Sequence, residues 1–67
     1  MNPDELKKLQ EDLKKFFEKN KNWSDSNVSD ETCIPVSTIY DWHRRNRKIR
    51  NGANAEALRK FLERRMK

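Results

Sequence analysis

Few residues in this chain can do chemistry, and their types and spacing point to binding. Cys33 is the only cysteine and His43 the only histidine in 67 residues, so no internal disulfide can form and no soft ligand set for a structural zinc ion exists. Gly52 is the only glycine, which leaves no glycine-rich phosphate loop, and no nucleophile stands paired with a base. The carboxylates are scattered, mainly over what read as outer helical faces. Neither enzymatic activity, nor a cofactor, nor a metal, nor a small-molecule substrate is expected. What is concentrated is positive charge: Arg44, Arg45, Arg47, Lys48 and Arg50 fall close together. A guanidinium can give two parallel hydrogen bonds to a phosphate or to guanine N7 and O6, and an ammonium serves as a point charge.

The charge is also segregated. Residues 1 to 33 hold six Lys/Arg against eight Asp/Glu, a net of −2, while residues 34 to 67 hold ten against three, a net of +7. Counterions displaced from a polyanion supply sequence-independent affinity, so a gradient of this kind is the footprint of a nucleic-acid or acidic-surface binder. A purely solubilising surface would mix its signs, as residues 1 to 33 do.

The elements that must carry these groups can be read from apolar spacing. At this length one domain with a thin core is expected, spanning 1–67. No apolar run approaches a membrane span and no export leader is legible, so a soluble protein of a reducing compartment is expected, cytoplasmic and nucleoid-associated if natural and of unknown location if designed. A first helix runs from Pro3 to about Asn20. Asn2 caps it, Pro3 suits its first position, and Glu5 stands where its carboxylate can return to the cap. Leu6, Leu9, Leu13, Phe16 and Phe17 form its buried stripe, and Lys7, Lys8, Glu11, Asp12 and Lys15 clothe the outer face with charges at i,i+4. Ser24 caps a second short helix through about Thr32. Pro35 then interrupts, because it lacks a backbone donor and disfavours a helical Ile34. A third helix starts at Val36 and runs to Arg44 or Arg45, followed by a loop through Asn46, Asn51 and Gly52. A fourth opens with Asn54 as cap and buries Leu58, Phe61, Leu62 and Met66.

Asp25 to Arg44 resembles the twenty-residue helix-turn-helix unit. That unit takes apolar residues at its fourth, tenth, fifteenth and eighteenth places, here Val28, Ile34, Ile39 and Trp42, and a small residue fifth, here Ser29. The wording CIPVSTIYDW is similar to turn-plus-recognition-helix segments of phage repressors and site-specific recombinases. With the long helix before it and NGANAEALRKFL after it, the chain resembles the lambda-repressor-like DNA-binding domains over nearly its whole length, the usual last helix being missing or fused. The resemblance implies an all-α, compact four-helix fold and a recognition helix, about Val36 to Arg45, in the major groove of double-stranded DNA. Two places depart from the pattern. Cys33 stands ninth, where glycine normally supplies a left-handed backbone, and Thr32 stands eighth, where an apolar residue is usual. The agreement of cap, dipole and charge pairs in the first helix is similar to computationally designed sequence, so a designed binder on this scaffold is a second origin for the same pattern.

Rotating the third helix with Ile39 and Trp42 inward turns Ser37, Tyr40, Asp41 and Arg44 outward, with Val36 on the flank. Arg44 suits guanine, Asp41 a cytosine amino group, Ser37 or Tyr40 either base, and Val36 a thymine methyl. Asp41 has the alternative of an ion pair with Arg45 or Arg44. Arg45, Arg47, Lys48 and Arg50, with Thr38, are expected on phosphates, and so are Ser24 and Ser26 at the second helix's start, where Asp25 opposes them. Trp23 and Trp42 read as core, Cys33 as inert, and His43 as packing or donating to phosphate. The partner so implied is duplex DNA, bound by a monomer or a weak homodimer, with no membrane. The rival functions are a small helical protein-binding module and a basic RNA or membrane-surface binder using the last helix.

Overall fold

The structure, a computed structural model, describes residues 1–65, and among these the chain forms four helices and no strand. They are α1 (Pro3–Lys19), α2 (Asp25–Thr32), α3 (Val36–His43) and α4 (Ala53–Arg65). The all-α, four-helix class expected from the sequence is what the chain adopts.

Local chemistry sets most of the boundaries. Asn2 Oδ1 accepts from the Glu5 N–H at 2.8 Å while the Asn2 N–H donates to Glu5 Oε1 at 3.3 Å, the reciprocal cap expected there. Asn20 closes α1 with its backbone and side-chain amides both on the Phe16 carbonyl, each at 2.9 Å. At α2, Ser24 caps as expected, and its partner is Asn27: Ser24 Oγ accepts from the Asn27 N–H, and Asn27 Oδ1 accepts from the Ser24 N–H. No ion pair closes within 4.0 Å on the outer face of α1 among the described residues, so its charges act as a solvated surface. The i,i+3 and i,i+4 pairs that do close are Arg59 with Glu56 and Glu63 on α4, and Arg45 with Asp41.

Two boundaries differ from the sequence expectation. α3 stops at His43, because Asn46 turns to φ 53° and the Arg47 N–H reaches back to the Asp41 carbonyl at 3.0 Å, which closes the helix end. α4 begins at Ala53, so Asn54 lies within its first turn and is exposed; the Gly52 carbonyl opens the ladder by accepting from the Glu56 N–H at 3.1 Å. That earlier start seats Ala55 in the core, in line with Leu58 and Leu62. Met66, expected on the buried stripe, and Lys67 lie outside the described residues.

One continuous core joins all four helices: Leu9, Leu13, Phe16 and Phe17 of α1, Val28 of α2, Ile39 and Trp42 of α3, and Ala55, Leu58, Phe61 and Leu62 of α4. Phe16 sits at its aromatic centre, meeting Phe17, Trp23 and Phe61 edge-on at 5.8, 5.4 and 5.3 Å. Both tryptophans pack as expected, Trp42 buried and Trp23 half-buried under the Arg65 guanidinium, 4.9 Å from its ring centre. Ile34 in the α2–α3 turn and Ile49 in the α3–α4 loop complete the core.

At the turn between α2 and α3 stand Thr32 and Cys33, the two residues that depart from the pattern the sequence resembles. Cys33 takes the left-handed conformation, φ 61° and ψ 19°, with its side chain exposed. Thr32 is buried where an apolar residue is usual, and its hydroxyl is spent: Oγ1 donates to the Val28 carbonyl at 2.7 Å and accepts from the Ile34 N–H at 3.3 Å. Ser29 donates to the Ile34 carbonyl. A polar residue is therefore buried at no hydrogen-bonding cost.

Candidate nucleic-acid interface

α3 is held by its inner face and bare on its outer one. Ile39 is fully buried and Trp42 nearly so, while Ser37, Val36, Tyr40 and Arg44 are exposed. Among the described residues Val36 and Tyr40, each 46% accessible, are the large hydrophobic side chains left exposed, and they stand one turn apart on the same helix. Apolar side chains elsewhere are taken up by the core, so this face carries surface that the fold does not use.

Asp41 is half-buried, and its carboxylate lies 3.7 Å from Arg45, the ion pair that the sequence left as an alternative to base contact. Arg44 forms the C-cap of α3 and is largely exposed, with its Nε 3.4 Å from Asp25 Oδ2. The other Asp25 oxygen is 3.0 Å from His43 Nδ1, and the imidazole stacks flat on Phe17, centroids 4.0 Å apart and planes 9° from parallel. The start of α2 is thereby joined to the end of α3. Ser24 and Ser26 flank that junction, exposed, with the Ser24 hydroxyl engaged by Asn27 on two sides.

Beyond α3 the cations continue on an ordered loop. Ile49 is buried and acts as its anchor, and Gln10 of α1 donates from Nε2 to the carbonyls of Trp42 at 3.2 Å and Arg47 at 2.6 Å. Around these fixings Arg47, Lys48 and Arg50 are exposed, and none has a carboxylate within 4.0 Å among the described residues. With Thr38, Asp41 and Asn54 they border an open groove of about 760 Å³ between α3 and the start of α4. Unpaired, part-anchored cations around a shallow groove can neutralise anionic oxygens without first breaking internal ion pairs.

On α4 the balance differs. The Arg59 hydrogen bond holds the Glu56 carboxyl below its ordinary range, and Glu56 and Glu63 together raise Arg59. Those charges are satisfied within the helix, so α4's middle turns offer less to a polyanion than the loop does.

The sequence-predicted base-facing residues Val36, Ser37, Tyr40 and Arg44 share one exposed surface, and Thr38, Arg47, Lys48 and Arg50 share the neighbouring groove. Asp41 sits between them and Arg45 beside it. Three contributors were not read from sequence: Asp25 as partner of His43 and Arg44, Gln10 as the loop's clamp, and Ile49 as its anchor. Only Ile49 left a trace there, as a lone apolar residue in a cationic run. Among the described residues no cluster of His, Cys, Asp and Glu could hold a metal ion, and no helix is long and apolar enough to cross a membrane. Compared with known proteins, the chain matches no family model, no curated protein and no solved structure.

Proposed function

We propose that this protein binds double-stranded DNA sequence-specifically, laying α3 in the major groove in the manner of the lambda-repressor-like helix-turn-helix domains. The observation that carries the reading is the combination on α3 of a locked inner face and an unused outer face bearing Val36, Ser37, Tyr40 and Arg44, continued by the unpaired cations of the next loop. An eight-residue helix is about 12 Å long, comparable with the width of the major groove. Arg44 reads guanine, Ser37 and Tyr40 contact base edges, and Val36 meets a thymine methyl. Arg45, Arg47, Lys48, Arg50 and Thr38 hold phosphates and set the register.

Support for the helix-turn-helix likeness comes from the four apolar positions of the unit. Val28, Ile34, Ile39 and Trp42 are buried to 0, 1, 0 and 7% accessibility, and Cys33 adopts the backbone that the unit's ninth place demands. On this reading the protein is a binding module and not an enzyme, acting as a monomer or weak dimer. Selection of bound sequences from a random duplex pool tests it: a recurring motif of a few base pairs is expected. Equal or tighter binding to anionic vesicles or hairpin RNA would replace duplex DNA as the partner.

A further inference from the structure

We infer that Asp25, on α2, is a positioning residue for base recognition: it orients the Arg44 guanidinium for a guanine while touching no DNA itself. The inference rests on the DNA-binding reading above and goes beyond it by assigning a role to a carboxylate that, by charge alone, opposes DNA.

Arg44 stands at the end of a short helix with four flexible side-chain bonds, and an unrestrained arginine there would lose much of its contact energy to ordering. The structure supplies a restraint. The Asp25 side chain is 13% exposed, and its two carboxylate oxygens are divided: Oδ1 faces His43 Nδ1 at 3.0 Å and Oδ2 faces Arg44 Nε at 3.4 Å. His43 is itself fixed by its stack on Phe17, a buried residue of α1. A chain of contacts therefore runs from the core through the imidazole to the carboxylate and ends on the guanidinium. Holding Arg44 by Nε leaves both Nη groups available, and their hydrogens match the N7 and O6 pair of guanine. The same hold keeps a negative charge beside the arginine, which disfavours its drifting onto a phosphate and keeps it for a base.

The test follows from a conflict of sign. Taken only as a negative charge near a polyanion, Asp25 weakens binding to every duplex, and Asp25→Asn would raise affinity for all sequences alike. As a positioning residue it sharpens one base pair. With His43 Nδ1 as donor, Asn keeps that bond through Oδ1 and turns its amide N–H toward the Arg44 Nε–H, donor to donor, so the fold is kept and the restraint lost. The measurement is the affinity ratio between the selected duplex and the same duplex with its critical guanine pair exchanged, for wild type, Asp25→Asn, Arg44→Lys, Arg44→Ala and the double variant Asp25→Asn/Arg44→Ala. Thermal melts accompany each.

The expected result is a fall in the ratio of about tenfold for Asp25→Asn, within what one bidentate base contact supplies, with affinity for unrelated duplex equal or higher. Arg44→Lys, which keeps the charge but has no Nε fork, should show the same loss. In the Arg44→Ala background Asp25→Asn should leave the ratio unchanged. A uniform gain in affinity with the ratio intact overturns the inference and leaves DNA binding standing. A loss of ratio that persists without Arg44 also overturns it. Absence of any sequence preference in the wild type overturns the DNA-binding reading and this inference with it.

Discussion

Asp25 and His43 lie 18 positions apart in the chain and 3.0 Å apart in the fold, and through them the first residue of α2 holds the last residue of α3. The imidazole is gripped twice, by that carboxylate and by the Phe17 ring. His43→Ala removes both, and should lower stability by about 1 to 2 kcal/mol, the sum of a modest hydrogen bond and an aromatic stack. Urea unfolding followed by helical circular dichroism measures it. An unchanged midpoint would mean that the pair closes without contributing to the fold.

Cys33 supplies a left-handed backbone with a side chain poorly suited to it, at φ 61°, and that side chain is exposed. Nothing is packed against the core to be lost. Cys33→Gly should therefore stabilise by about 0.5 to 1 kcal/mol, the relief of strain exceeding the added freedom of the unfolded chain. A neutral or lower melting temperature would mean that the turn relaxes to another geometry.

Trp42 and Arg44, two residues apart, should fail in different ways. Trp42→Ala empties a buried site between helices and should cost about 3 to 5 kcal/mol, enough to unfold a domain with a thin core. Arg44→Ala should leave the melt nearly unchanged while weakening the preferred duplex by about 1 to 3 kcal/mol and relaxing preference at one guanine. An equal loss on all duplexes would make Arg44 a phosphate contact.

Salt reads the loop. Arg45, Arg47, Lys48 and Arg50 acting on phosphates should give log affinity against log salt a slope of about −4. Arg47→Ala, Lys48→Ala and Arg50→Ala should each reduce it by about one. Arg45→Ala should reduce it less, because Arg45 is already shared with Asp41 at 3.7 Å. Replacing Lys7, Lys8 and Lys14 on α1 should leave the slope unaltered. A slope near zero would remove the phosphate role.

The four helices are legible in the residues themselves, apart from the end of α3 and the start of α4, because their causes are local. Asn2 and Ser24 cap within their own first turns, Pro35 breaks the chain at its own position, and the 3.6-residue spacing of Leu9, Leu13 and Phe16 requires no knowledge of a partner. The spacing of Val28, Ile34, Ile39 and Trp42 likewise picked out four buried residues. The exposed face of α3 followed by rotation once its buried face was known. What depends on distant partners emerges when the helices pack. Ile49 has no periodic neighbours and is buried because its loop folds back over the core, and Gln10 finds the Trp42 and Arg47 carbonyls because α1 crosses the end of α3. Asn54 has the chemistry of a cap, yet α4 starts at Ala53, two residues before the start an Asn54 cap would set, and Ala55 and Leu58 are buried on its inner face. In sequence Asp25 reads as an obstacle to DNA, because its negative charge stands between two serines expected on a phosphate. Packing gave it His43 and Arg44 instead, and no local rule relates residues that meet only when two helices dock.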